Sequence, residues 1–242
     1  MHIGIIGGVG PQAGLDFLQK IITNTKAVSD QDHLNCILIS CPSLIPDRTE
    51  YLLYGQVENP AVGMFECARR LYAAGARRAV VVCNTAHADR IFTPFRAKVA
   101  ELLPGLGIVN MLETCANHVK TSLHVHALGL LATKGSHQSR VFHEYFRDED
   151  GFQLIEPAIA EQEQVHEAIY NEQYGIKANP RHVTSQAKEC IHRAACRLID
   201  RGAEAIVLGC TEIPLATQNS HFPVPVIDPG EITARHLVNG FR

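Results

Sequence analysis

No stretch of this sequence stays apolar for the roughly 18 residues that a helix needs to cross a bilayer. No charge of one sign dominates: 22 Lys and Arg stand against 25 Asp and Glu, a net charge of -3. That leaves no cationic footprint for nucleic acid or for an anionic membrane surface. No C-x-x-C pair occurs among the eight cysteines, and "HVH" at 124–126 has no metal-ligand spacing around it, so no metal site is expected. "MHIGIIGG" has no basic segment of a signal peptide and reads as a strand entering a glycine turn. Low-complexity segments are absent too. These absences predict a cytoplasmic protein whose cysteines are free thiols, most of them packed as small hydrophobes.

What the sequence does contain is a repeat. "ARRLYAAGARRAVVVC" (68–83) and "ACRLIDRGAEAIVLGC" (195–210) share seven residues in register over sixteen positions, and each ends on a cysteine. "GIIGGVG" (4–10) and "GLLATKG" (129–135) form a second matching pair, each a strand leaving into a turn. Gly4 to Cys83 is 79 residues and Gly129 to Cys210 is 81. Short apolar runs predict strands at 2–7, 35–40, 78–83, 107–111, 126–132, 152–157, 205–210 and 224–228. Runs of this kind suit strands buried on both faces of a parallel sheet. Helical patterns lie between them, at 11–26, 59–74, 87–102, 112–121, 136–147, 158–172, 184–201, 212–218 and 230–240. The alternation predicts an α/β protein of two similar three-layer lobes with parallel sheets, flavodoxin- or Rossmann-like, related by a pseudo-two-fold axis. The expected lobes are 1–114 with 216–242, and 115–215.

Ligands of open parallel sheets bind outside the carboxyl ends of the strands. Cys83 and Cys210 are predicted at such ends, each where a helix begins and its dipole favours thiolate. If the lobes face each other across a cleft, so do the thiols. A matched acid and base on opposite faces of a carbon can invert it through a carbanion in both directions. The remaining cysteines, Cys36, Cys41, Cys67, Cys115, Cys190 and Cys196, read as structural.

At these residues the sequence resembles the aspartate/glutamate racemase family, the cofactor-independent amino-acid racemases, and within it the aspartate racemase branch. The matching pieces are "GIIGGVGP" (4–11), "IPDRT" (45–49), "CNTAH" (83–87), "GLLATKGS" (129–136), "GCTE" (209–212) and "VIDP" (226–229), in the family's order. The resemblance implies an active site between two lobes, Cys83 and Cys210 as the acid/base pair, no cofactor, an acidic amino acid as substrate and a homodimer. It also implies Arg48 and Lys177 as cations for the substrate carboxylates. Val9, Gly14 and Lys134 depart from the branch's usual Met, Thr and Thr.

Carbanion chemistry without a cofactor needs preorganised donors around the growing charge. Backbone N–H groups of the Gly8–Gly10 turn can supply some, and the side chains of Asn84, Thr85, Thr133 and Thr211 can supply others. Each candidate has a plainer reading beside it. Thr85, Thr211 and Asn84 could be helix caps. Arg48 could form a surface ion pair with Asp47 or Glu50, and Lys177 could be a solvated loop residue. Lys134 could join the cleft or face solvent. His87 could pair with the Cys83 thiol or sit on a helix face, and Glu212 could orient a group or form a salt bridge. Three other functions compete. "GVGPQA" fits a dinucleotide turn, but "NCILIS" runs into Cys41-Pro42 without the acid such sites use. A non-enzymatic carboxylate carrier would not need two matched thiols. An isomerase, decarboxylase or racemase of the same superfamily could act on another small carboxylate.

Overall fold

Two four-stranded parallel sheets form from the eight expected strands, and both have the same strand order. We describe residues 2–179, 181–218 and 220–240 of a computed structural model. The chain divides into two units, 1–114 with 230–242, and 115–229. In chain order the first unit contains β1 (His2–Gly7), α1 (Pro11–Asn24), β2 (Cys36–Ser40), α2 (Arg48–Tyr54), α3 (Ala61–Ala73), β3 (Ala76–Val81), α4 (Asp89–Leu102) and β4 (Gly107–Val109). Helix α5 (Met111–Ser122) carries the chain into the second unit. There follow β5 (Ala127–Leu131), α6 (Lys134–Ser139), β6 (Gln153–Ile155), α7 (Ile159–Tyr170), α8 (Ser185–Asp200), β7 (Ala205–Leu208), α9 (Ile213–Thr217) and β8 (Val226–Ile227). Helix α10 (Pro229–Asn239) returns to the first unit.

The orders are β2-β1-β3-β4 and β6-β5-β7-β8. Ile5 pairs with Leu38 on one side and Val80 on the other; Gly129 pairs likewise with Ile155 and Ile206. In the first unit the period-two alternation of strands sorts side chains into two layers. Ile3, Ile5, Val80 and Val82 pack with Phe17 and Ile21 of α1 and Leu237 of α10. Ile6, Ala79 and Val81 pack with Met64 and Leu71 of α3 and Phe95 of α4. Fully burying each of these Val, Ile, Leu, Met and Phe side chains contributes about 1.5–3 kcal/mol. In the second unit Leu131, Ile206 and Leu208 meet Val165 of α7 and Ile191 and Leu198 of α8.

The shared residues of the repeat have packing reasons. Helices α3 and α8 each end before a glycine in left-handed conformation, Gly75 at φ 96° and Gly202 at φ 95°. That is the usual helix stop, because glycine has no side chain to strain there. A Cβ on Gly4 would meet Leu71 at 3.0 Å and Ala76 at 3.2 Å. A Cβ on Gly129 would meet Leu198 and Ala203, both at 3.0 Å. So the same glycine, leucine and alanine bring helix onto strand in both units.

Four details differ from expectation. Residues 216–242 do not move as a block to the first unit: "VPVID" contributes β8, which pairs with β7 in the second, and only α10 packs on the first. Helix α2 lies outside the expected helices: Asp47 starts it by accepting from the backbone N–H groups of Thr49 and Glu50 at 2.8 and 3.1 Å. The helix expected at 136–147 stops at Ser139, where Arg140 turns left-handed at φ 54°. Strands β3 and β7 end at Val81 and Leu208, so both cysteines lie two residues past their strands.

Candidate active site

In each sheet the order reverses at the first strand, between β1 and β3 and between β5 and β7. The carboxyl ends at such a switch point are where open α/β sheets bind ligands. Cys83 leaves β3 at one of them and Cys210 leaves β7 at the other, each 6% exposed. Each unit therefore carries one half-site.

In the first half-site the glycine turn exits β1. Gly8 has φ 80°, and a Cβ there would lie 2.8 Å from the Cys41 backbone nitrogen, so only glycine fits. Gly10 precedes α1, whose first-turn N–H groups favour a carboxylate. Arg48 is 6% exposed rather than a surface residue. Its guanidinium donates to the Val9 carbonyl at 3.0 Å and to Pro46 O at 3.1 Å, which holds it against the glycine turn. Asp47 stands 4.0 Å away.

Beyond Cys83 comes a single 3-10 turn, Thr85–His87, and α4 starts only at Asp89. The thiol therefore does not sit at an α-helix start. Asn84 and Thr85 are buried, and neither side chain caps this turn or α4. His87 is fully buried and turned away from a role as base for the thiol. Its Nδ1 lies 2.9 Å from Cys83 O, and its Nε2 accepts the Met111 N–H at 3.2 Å. Nε2 is an acceptor, so Nδ1 carries the proton and donates it to Cys83 O. Burial depresses the imidazole to about 4, with the backbone bond to Cys83 opposing. His87 is a neutral strut under Cys83.

The second half-site is a connected polar group. The Cys210 thiol donates to Glu212 Oε2 at 3.0 Å, and the Thr211 hydroxyl donates to the same oxygen at 3.3 Å. Lys177 Nζ lies 3.2 Å from Glu212 Oε1 and 4.7 Å from the Tyr170 ring centre. Lys177 is thus bound into the site through Glu212. Burial first, and the Glu212 charge second, push the Cys210 thiol well above its ordinary value. It rests protonated with an acceptor in place. Thr211 does not cap α9, a helix of five residues. Thr133, at the exit of β5, does cap: its hydroxyl accepts from Ser136 N at 3.3 Å. Lys134 pairs with Glu163 at 2.6 Å, which accounts for its charge.

The second unit holds one further polar pair that the sequence does not announce. His137, with a side chain 2% exposed, lies 2.8 Å through Nδ1 from Glu156 Oε1. The imidazole contact draws the Glu156 carboxyl below its usual range. Both residues follow strand exits, His137 after β5 and Glu156 after β6. The signal was available: an acid at the carboxyl end of an otherwise apolar run. Among the described residues, no three His, Cys, Asp or Glu side chains are grouped to hold a metal ion.

With these half-sites described, the chain can be compared with known proteins. The Asp/Glu/hydantoin racemase family model matches residues 6–237. The chain belongs to this family. An aspartate racemase of Picrophilus torridus superposes with a TM-score of 0.82 at 28% identity, covering 99% of this chain and 93% of that one. An aspartate racemase homologue from Pyrococcus horikoshii OT3 gives 0.72 at 25% identity, covering 98% and 97%. A glutamate racemase of Methylococcus capsulatus is 29% identical over 97% of this chain and 77% of its own length. A glutamate racemase of Roseiflexus sp. is 30% identical over 62% of this chain, a match that spans about half of that relative (49%). No helix among the described residues is long and apolar enough to cross a membrane.

Proposed function

We propose that this racemase acts on an acidic amino acid, aspartate first and glutamate second, without a cofactor, by two-base proton transfer between Cys83 and Cys210. The observation that carries the proposal is their equivalence: each thiol stands two residues beyond the third strand of the same 2-1-3-4 sheet. The match to the Picrophilus torridus aspartate racemase supports aspartate as the first substrate to try.

In this reading one thiolate removes the α-proton and the other thiol returns a proton to the opposite face of the carbon. The reading requires both half-sites to close on one substrate. Cys210 starts as the proton donor, because Glu212 already accepts its hydrogen bond and holds the thiol protonated. When Cys210 acts as the base instead, Glu212 takes the thiol's proton, the negative charge passes from the carboxylate to the sulfur, and Lys177 beside them balances it in either position. Arg48 meets a substrate carboxylate through the bidentate fork of guanidinium. Backbone N–H groups of the Gly8–Gly10 turn, with Asn84, Thr85, Thr133 and Thr211, stabilise the charge on the reacting carboxylate. His87 holds the Cys83 backbone. The active protein is a cytoplasmic homodimer.

Chiral chromatography of L-aspartate and L-glutamate incubated with the reduced protein, without pyridoxal phosphate, tests the proposal. D-aspartate accumulating toward an equal mixture supports it. Loss of neither L-isomer over many enzyme equivalents would move the reading to another small carboxylate.

A further inference from the structure

Two cysteines outside the candidate active site stand against one face of α3. Cys41 follows β2 directly, and its backbone carbonyl accepts from Leu44 N at 3.1 Å, closing a tight turn. That turn presses on α3: a Cβ on Gly63 would come within 1.9 Å of Leu44 O. Gly63, Cys67 and Arg70 are spaced four and then three residues apart, so they share one helix face. The Arg70 guanidinium reaches back along that face to Cys41 Sγ, at 3.6 Å. Cys67 lies between these two contacts. Cys67 is buried in the apolar cluster against which Cys41 packs, and the two thiols are close enough to act on each other electrostatically.

The two sulfurs are unequal. Cys41 is half-buried and Cys67 fully buried. Burial pushes the Cys67 thiol up to about 11, so it is not the sulfur that meets an oxidant first. Cys41 is the accessible one, with a positive guanidinium beside it, the kind of setting in which cysteines react. Reactive cysteines of redox sites are accessible and stand next to a second, resolving cysteine.

We propose that Cys41 and Cys67 are a redox modification site that closes to a reversible disulfide under peroxide. The Cys41 thiolate attacks one oxygen of hydrogen peroxide, the O–O bond breaks, and the products are the Cys41 sulfenic acid and, with a proton from solvent, water. The Cys67 sulfur then attacks the sulfenic sulfur. An S–S bond forms, the S–O bond breaks, and the hydroxide takes the Cys67 proton to leave as a second water. The net change is two thiols and one peroxide to one disulfide and two waters. A dithiol reductant reverses it. The bridge tethers the turn leading to Pro46 and Arg48 onto α3. Nothing in this site depends on the racemase substrate.

The test is a non-reducing tryptic map of the folded protein after a short exposure to hydrogen peroxide. Trypsin places Cys36 and Cys41 together on residues 27–48, and Cys67 on residues 49–69. The expected product is a cross-link between these two peptides that dithiothreitol removes. It persists in Cys36→Ser and is lost in Cys41→Ser. Arg70→Ala slows its formation severalfold, an effect that a purely packed cysteine pair would not show. Oxidation of Cys41 to sulfinic acid with Cys67 left as a thiol overturns the proposal, as does a cross-link that survives Cys41→Ser.

Discussion

Replacing His87 with glutamine separates a structural histidine from a catalytic one. The folded protein holds the neutral ring, with Nδ1–H given to Cys83 O and Nε2 receiving Met111 N–H. A second proton would turn the acceptor into a donor facing Met111 N–H. Burial holds the folded-state value at about 4, against an unperturbed value of 6.5. The sign follows from linkage: between these two values the unfolded chain binds more protons, so stability rises with pH across that window. His87 is fully stabilising above about 6.5, and its contribution is lost as pH falls toward 4. Integrated from pH 7 to pH 5, the loss is about 2 kcal/mol. Glutamine does not titrate. It also satisfies the two backbone groups less well, at a cost of about 1–3 kcal/mol at pH 7. Urea unfolding of the wild type and His87→Gln at both pH values gives the double difference, in which the other histidines cancel. The variant should lose about 2 kcal/mol less than the wild type between pH 7 and pH 5. Equal losses would refute the buried neutral imidazole.

The other predictions concern the half-sites and the fold. Glu212→Gln should lower kcat by about 10²–10⁴, the usual range for a lost acid–base group. It should also move the Cys210-dependent limb of the pH–rate profile to lower pH, because the carboxylate that helps hold the thiol up is gone; an unchanged profile would refute the coupling. Arg48→Met should reduce kcat/KM for aspartate about ten- to a hundredfold, from the roughly 1.5–3 kcal/mol of a charged hydrogen bond, measured by initial rates. Gly8→Ala should destabilise the protein by about 1–3 kcal/mol in urea unfolding, from overpacking against Cys41 and Pro42 at positive φ.

The strands were legible because buried parallel strands leave short apolar runs, and the repeat was legible because packing repeats it. Gly4 and Gly129 each underlie a Leu–Ala pair, and that geometry admits few substitutions. The parts that were not legible depend on local hydrogen bonds that composition does not reveal. Asp47 starts α2 by capping it, and Arg140 stops α6 by a left-handed turn. Residue 226 joins the second sheet because Ile206 and Val207 pair with it and its neighbour, a choice between two similar edges that periodicity cannot make. At the candidate site the repeat marked Cys83 and Cys210, the family resemblance pointed to Arg48, and Glu212 stood out only as the neighbour of Cys210. The sequence gave no account of His87, whose role lies in which backbone groups its two nitrogens reach. It also passed over the His137–Glu156 pair, because those residues are 19 positions apart and meet only when β5 and β6 lie side by side.

The central claim is proton transfer at the α-carbon by two thiols. Proton NMR of L-aspartate in D2O with the reduced protein, and then with Cys83→Ser and Cys210→Ser, tests it most directly. The account predicts loss of the α-proton signal together with formation of D-aspartate. Each variant should lose racemisation, while Cys83→Ser and Cys210→Ser keep exchange with opposite enantiomers. Exchange without inversion in the wild type, or full racemisation surviving either substitution, would contradict it.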